Sequence, residues 1–360
     1  VAVSRDSKTG LWEVQVWYHT HDGRRKKKHK RGFRTKTEAR QWEREFLLRA
    51  EGSPSMKFAD FAEVYMADIK PQLKLNTFLT KEHIIKTKIV PFFGEMQLDE
   101  IQAADIMRWQ NELRSAINPR TGSPYAASYL RTVRNQCSTL FNHGVRYYDL
   151  SENPFAKTGK AAKAHEPEMQ IWTTEEYLRF SDAIMDKPRS HMAFEILYWA
   201  GVREGELLAL TPSDFALKKC QLRISKSYQR IKGEDVITPP KTPKSVRTIS
   251  IPEFLVAEVG EYIELFGIAG DERMFPVSKS YLYHEMLRGC KNSGVKRIRV
   301  HDLRHSAVSL LISMGFSAVG IAQRMGHESI DITYRYAHLF PSVQDDMARA
   351  LDKVGGYANE

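Results

Sequence analysis

Four short segments in the C-terminal half of the chain hold side chains that could do chemistry. Ala200-Gly201-Val202-Arg203-Glu204-Gly205-Glu206-Leu207 places Arg203 directly after an apolar helix that ends at Gly201. Pro240-Lys241-Thr242-Pro243-Lys244-Ser245-Val246-Arg247-Thr248 has turn chemistry between two strand-like runs, with Lys241 at its mouth. His301-Asp302-Leu303-Arg304-His305 sets His301 and Arg304 three apart, on one face of a helix. Met325-Gly326-His327-Glu328-Ser329 is followed by Tyr334-Arg335-Tyr336-Ala337-His338. A guanidinium stays charged at any working pH and forks onto oxyanions. A phenol has a pKa of about 10 and attacks only as it loses its proton. Singly, each residue has an ordinary structural reading. Arg203 pairs with Glu206, Lys241 is a solvated turn lysine, and Tyr336 is one of 15 tyrosines in a core.

The elements that must position these residues follow from periodicity. The last domain starts near Ile171, with Thr173-x-x-Glu176 as a capping box. It is helical apart from a β-rich stretch from Cys220 to Pro252. In front of it, Asn153–Pro167 is poor in apolar residues and carries Lys157, Lys160 and Lys163, the composition of an extended basic linker. Lys57 to Pro154 is helical. Phe58, Phe61 and Tyr65 share a face, and Asn76-Thr77 opens a helix carrying Ile84, Ile85 and Ile89, which Pro91 and Gly94 should end. Pro119–Pro124 reads as a loop, and Ser128–Tyr148 as a long helix with Leu130, Val133, Cys137, Leu140 and Phe141 inward and Arg131, Arg134 and Arg146 outward. A four-helix domain with a basic face is expected.

The N-terminal stretch is different. Trp12, Val14, Val16 and Tyr18 alternate with Glu13, Gln15, Trp17 and His19, the period of a half-buried strand. Asp22-Gly23 is a hairpin signal, and Thr35-x-x-Glu38 a capping box ahead of Ala39, Trp42, Phe46 and Ala50 at helical spacing. Between them lie eight consecutive basic positions, Arg24, Arg25, Lys26, Lys27, Lys28, His29, Lys30 and Arg31. They read as an exposed basic strand or turn that contacts DNA. Glu51-Gly52-Ser53-Pro54-Ser55 is a linker by composition.

The 360 residues carry a net charge of +10. Residues 1–55 hold 14 Lys and Arg against 7 Asp and Glu, whereas the remainder holds 40 against 37, so most of the basic excess sits in one short module. Such a chain suits a polyanionic partner. Cys137, Cys220 and Cys290 are far apart and no CxxC occurs, which argues against a disulfide framework or a cysteine zinc site. The most apolar run, Ala193–Val202, is too short to span a bilayer and contains Glu195, so no membrane partner is expected. The first 20 residues lack the apolar core of a secretory leader, so the bacterial cytoplasm or nucleoid is the expected location. The start at Val1 suits a trimmed N-terminus.

Taken together, the four segments resemble the tyrosine recombinases, and among them the integrases of phages and conjugative transposons. That family has an Arg in a G-L/V-R-x-x-E segment, a Lys in a β-hairpin, an H-x-x-R, a G-H/W box, and a Tyr nine residues after that His. Arg203 with Glu206, Lys241, His301 with Arg304, Gly326-His327 and Tyr336 match in order and spacing, with Met325 where Leu is usual. The resemblance implies a mainly α multidomain chain. Residues 1–55 would be a sheet-plus-helix arm-site-binding domain, 56–154 a helical SAM-like core-binding domain, 155–170 a linker, 171–340 a mixed α+β catalytic domain, and 341–360 a C-terminal tail or helix. Val343, Met347, Leu351 and Val354 would form the stripe of that tail, packed in cis or on a neighbouring subunit.

The implied reaction is transesterification at a DNA phosphodiester, through a 3′-phosphotyrosyl intermediate on Tyr336. Arg203 and Arg304 would hold the non-bridging oxygens, Lys241 would protonate the leaving 5′-oxygen, and His327 would hydrogen-bond the phosphate. His301 would assist the tyrosine proton or orient the phosphate, and Glu206 would orient Arg203 or His301. No metal, ATP or other cofactor is implied. The implied partners are double-stranded DNA at core and arm att sites and three further copies of the chain in a tetramer. An excision factor and a DNA-bending host protein are also compatible. Competing readings are a type IB topoisomerase-like strand transferase, a non-catalytic DNA-binding regulator, and a metal-dependent transposase, for which no suitable Asp/Glu set is present.

Overall fold

The computed structural model describes residues 2–7, 9–19, 25–51, 56–158, 169–240, 242–334, 336 and 351. The chain divides into two compact units, Val1–Glu166 and Pro167–Glu360.

The first unit opens with a three-stranded antiparallel sheet, β1 (Ala2–Arg5), β2 (Trp12–His19) and β3 (Arg25–Phe33), followed by α1 (Lys36–Glu51). Because successive strand residues face opposite sides, Val14 and Val16 are buried with Phe33 and Ala39, while Trp17 is 47% exposed. The basic run is β3 itself; the Asp22-Gly23 turn, Arg24 and the Arg25 side chain lie outside the described residues. Register pairs Trp17 with Lys27, Gln15 with His29 and Glu13 with Arg31. The Thr35 box forms with a shift: Thr35 Oγ1 accepts from the Glu38 amide, but the Glu38 carboxylate reaches the amide of Arg34.

The helical part of this unit comprises α2 (Phe58–Ile69), α3 (Leu75–Ile84), α4 (Val90–Phe93), α5 (Ala103–Ser115) and α6 (Ala127–Tyr147). Phe58, Phe61, Tyr65, Trp109, Val133, Cys137, Leu140 and Phe141 close its core. Pro91 does not end its helix as expected. A π-type turn, Ile85–Ile89, joins α3 to α4, and the Val90 amide reaches back to the Ile85 carbonyl. The ladder has widened by one residue just before the proline, whose missing N–H then breaks no bond. The expected loop near Pro119–Pro124 includes part of a small hairpin, β4 (Ile117–Asn118) and β5 (Ser123–Pro124). The linker expected from residue 155 begins as a 3₁₀ turn, with Phe155 buried in the helical core; residues 159–168 lie outside the described set.

The second unit contains α7 (Thr174–Asp182), α8 (Pro188–Trp199), α9 (Glu204–Leu207), β6 (Phe215–Ala216), β7 (Gln221–Ile224), β8 (Ser227–Ile231), β9 (Glu234–Thr238) and β10 (Arg247–Ser250). It continues with α10 (Glu253–Phe266), α11 (Lys279–Ser293), α12 (Asp302–Ser313), α13 (Ala318–Met325) and α14 (Asp331–Tyr334). The Thr173 capping box forms in both directions. The most apolar run is a buried core helix, α8, and no helix among the described residues is long and apolar enough to cross a membrane. The strands flanking Lys241 do not pair with each other: β9 pairs with β8, and β10 with β7. Lys241 itself, expected on a hairpin, lies outside the described residues, and the segment around it holds Pro239-Pro240 and Pro243, which cannot donate to a ladder. Of the expected C-terminal stripe only Leu351 is described, and it is exposed.

Candidate active site

The site is built around one turn. Helix α13 ends at Gly326, whose φ of +63° lies in the left-handed region. A side chain there would be strained, and its Cβ would sit 3.0 Å from Arg247 Cδ and 3.1 Å from the Lys244 carbonyl. The carbonyls of Met325 and Gly326 are thereby left to accept from side chains. Met325 O accepts from Arg304 Nη2, and Gly326 O accepts from Arg203 Nη2 at 3.2 Å. One turn therefore holds two guanidiniums whose residues lie 101 positions apart in the chain. The next residue is His327, whose amide closes the helix end on Ala322 O at 3.0 Å.

Arg304 is 4% exposed on the inner face of α12 and donates a second bond to Gly201 O at 2.6 Å. Gly201 also has a positive φ, and a Cβ on it would meet Met325 Cε at 2.7 Å. Burial, then the charges of Arg203 and Arg247, lowers the Arg304 pKa to about 9, so it remains charged at neutral pH. Arg203 caps α9 in extended geometry. Its amide and its Nη1 both donate to Glu206, at 2.9 and 2.7 Å.

Glu206 is 2% exposed and holds a second arginine. Arg247, at the start of β10, donates to both carboxylate oxygens at 3.1 and 2.9 Å, and its Nε donates to Arg324 O at 2.8 Å. Burial alone would raise the Glu206 pKa; Arg247 and then Arg203 outweigh it, and the pKa is lowered. Arg247 was given no role from the sequence. It is one of several cations in its segment, and only the sheet brings it to Glu206.

The imidazoles differ in setting. His327 Nδ1 shares a hydrogen bond with Thr333 Oγ1 at 2.9 Å. Burial, then Arg304, Arg203 and Arg247, lowers its pKa to about 4. His301 caps α12 at the surface, and its ring lies edge-on to that of His305 at 5.2 Å. Its pKa is also lowered to about 4, by lost solvation and then by His305 and Arg304. Both rings are neutral at pH 7.

Tyr336 is 3% exposed and packs with Ala307, Val308, Ile312, Ile321 and Met325. Its hydroxyl shares a hydrogen bond with His305 Nδ1. It lies close enough to Arg304 to act on that charge. Tyr334, by contrast, is 54% exposed. His305 was passed over in the sequence; its place four residues after His301, on the same helical face, is the one local signal that pointed to it.

The second unit thus gathers Arg203, Glu206, His301, Arg304, His327 and Tyr336, while Lys241 lies outside the described residues. The expected DNA-contacting residues belong to the first unit. Lys26, Lys27, Lys28, Lys30 and Arg31 are exposed on β3. Lys27 Nζ lies 5.8 Å from the Trp17 ring and Lys30 Nζ 4.9 Å from Trp42. Arg134 is partly buried and stacks on Phe155 at 5.1 Å, so it braces the helical core as well as facing outward. Arg131 lines the same small cleft as Arg134, beside Trp109 and Leu130. Among the described residues no three His, Cys, Asp or Glu side chains cluster as metal ligands.

Three family models match the chain: an Arm DNA-binding domain over residues 2–50, a phage integrase N-terminal SAM-like domain over 57–114, and the phage integrase family over 170–342. The chain is 29% identical over 325 residues to the ICEBs1 integrase of Bacillus subtilis, covering 85% of each. It is 23% identical over 365 residues to a XerC-like tyrosine recombinase of Caldanaerobacter subterraneus, covering 89% of this chain and 90% of the relative. Its fold is similar to that of the Tn1549 transposon integrase solved with a circular intermediate DNA (TM-score 0.64, 20% identity, 81% of this chain and 98% of that one). It is also similar to a lambda integrase tetramer bound to a Holliday junction (TM-score 0.58, 20% identity, 92% and 93%). With matched modules over most of its length and two guanidiniums clasped by one turn beside a tyrosine, the chain is a site-specific tyrosine recombinase of the phage integrase family.

Proposed function

We propose that this recombinase integrates and excises a mobile element by cutting and rejoining DNA strands through Tyr336. The Tyr336 oxygen attacks a backbone phosphorus; the new O–P bond replaces the bond to the 5′-oxygen, which leaves as a hydroxyl. The 3′-phosphotyrosyl ester retains the energy of the broken bond, so a 5′-hydroxyl from a partner duplex reverses the step and exchanges strands. The observation that carries this reading is the Met325–Gly326 turn, which fixes Arg203 and Arg304 through adjacent carbonyls. Guanidiniums held in advance need no reorganisation as charge grows on the non-bridging oxygens.

Neutral His327 supplies a further contact to the phosphate, and His301, at the mouth of the site, orients it. Lys241 protonates the leaving oxygen, a role resting on the sequence match alone. Glu206 acts through Arg203, with Arg247 as its counterweight. The partners proposed are double-stranded DNA at core and arm sites, bound by the helical module and by β3, and three further copies of the chain. An excision factor and a DNA-bending protein fit the same scheme, and the bacterial nucleoid is where such a chain would work. The topoisomerase-like alternative is not favoured, because the matched modules ahead of the catalytic one are integrase modules.

A nicked suicide substrate followed by mass spectrometry of the DNA-linked peptide tests the reading. The adduct should map to Tyr336, and Tyr336→Phe should bind DNA and form none. An adduct on Tyr334, or one that survives the substitution, overturns it.

A further inference from the structure

We propose that His305, rather than His301, accepts the Tyr336 proton as the phosphotyrosyl bond forms and returns it on religation. This rests on the reading of Tyr336 as nucleophile. The geometry points one way. The Tyr336 hydroxyl lies against His305 Nδ1; the His301 ring packs edge-on against the His305 ring at 5.2 Å, and the His305 ring is 5.7 Å from that of Tyr336. A neutral imidazole that accepts at Nδ1 carries its hydrogen on Nε2. That nitrogen faces Asp302 Oδ1 at 4.0 Å, one turn back on the same helix. Asp302 is itself buried and fixed by the amide and guanidinium of Arg299. A buried carboxylate thus lies at ion-pair range behind an imidazole that meets the hydroxyl, close enough to compensate the charge the imidazole gains.

The proton balance is simple. The Oη–H proton moves to Nδ1 as Oη bonds to phosphorus, and the imidazolium so formed lies between Asp302 and the phosphate. Among the described residues, the charged and titratable groups near it include His301, Asp302 and Arg304 on its own helix, Arg299 behind Asp302, Tyr336 from the C-terminal segment, and His327 beyond the α13 turn. His301 takes up a proton reluctantly, because lost solvation and its cationic neighbours hold its pKa near 4. The pairing escapes the H-x-x-R pattern because the partner is 31 residues away in sequence.

The experiment is covalent-adduct formation on a suicide substrate, measured with the full chain from pH 5.5 to 9. His305→Ala should slow it roughly 10²–10⁴-fold, the usual worth of general acid–base help, and remove the acid limb of the rate profile. His305→Asn, which keeps an acceptor near the Nδ1 position but cannot take the proton, should also lose the limb. Added imidazole should restore rate to His305→Ala. His301→Ala should be slowed but keep the limb. A limb that persists in His305→Ala and vanishes in His301→Ala overturns the assignment. A His305→Ala protein that reacts at or above the normal rate overturns it too, and makes the contact a latch on the resting tyrosine. DNA binding by each variant is measured alongside, and failure of imidazole rescue in a variant that binds DNA counts against the proposal. The peptide carrying the adduct separates the two claims: a Tyr336 adduct at normal rate in His305→Ala sinks only this inference, whereas an adduct elsewhere sinks the nucleophile.

Discussion

Positive charge is used in two opposite ways in this molecule. On β3, Lys26 to Arg31 stand exposed, and Glu13 is the carboxylate that pairs with His29 and Arg31. Around the Gly326 turn, Arg304 and Arg247 are nearly enclosed, and their guanidinium groups are spoken for by carbonyls and by Glu206. Exposed lysines on flexible stems follow any phosphate backbone and are screened by salt. Arginines held by carbonyls and a carboxylate keep one geometry, which is what the proposed grip of Arg203 and Arg304 on one phosphate requires. The first arrangement suits affinity with little positional demand; the second suits chemistry that depends on sub-ångström placement.

The sharpest break between the two should come from Arg203→Lys. Cleavage is expected to fall about 10²–10³-fold, the loss typical of one oxyanion donor, while binding of core DNA changes little. Single-turnover cleavage beside a binding titration checks this, and a matching loss of affinity would mean the cations held at the Gly326 turn act as the exposed ones do. Next is Arg247→Ala. Glu206 would keep only Arg203, and cleavage should drop roughly 10–100-fold through misplacement of that guanidinium. Stability should fall by about 3 kcal/mol, as for other buried pairs deprived of one partner. Arg247→Lys should recover part of the stability and less of the rate, because the fork is lost; denaturant titration and cleavage kinetics report both.

On the other side of the comparison, replacing Lys26, Lys27 and Lys28 by Gln should weaken arm-DNA binding. It should also flatten log affinity against log salt by roughly 0.9 for each phosphate no longer neutralised. An unchanged slope would remove β3 from the DNA interface. The smallest effect concerns pH. His301 and His327 have pKa values near 4 in the folded chain, below the ordinary value of 6.5. Between those values the unfolded chain takes up protons that the native chain refuses, so stability should decline as pH falls from about 6.5 towards 4. His327→Gln should reduce that decline in melting experiments, and a profile unaltered by it would place the acid sensitivity elsewhere.

Much of this was legible in the chain itself, and the rest for definite reasons was not. Alternation in β2 and the three-and-four spacing of the helices report local geometry, so the sheet-plus-helix module, the helical middle and the capped α7 could be read directly. The π-type turn before Pro91 could not, because periodicity signals the existence of a helix and says little of how its ladder absorbs a proline. Nor could the pairing that assigns β9 and β10 to different sheets. The order and spacing of Arg, His and Tyr, matched to a known family, pointed to which cations and which tyrosine to look for, since these residues carry their chemistry wherever they sit. The fold decided what holds them. Arg203 and Arg304 meet at Met325 and Gly326, Arg247 meets Glu206, and His305 meets Tyr336. Those hydrogen bonds join residues 21 to 123 positions apart, and no local pattern encodes a bond whose partner arrives from another element.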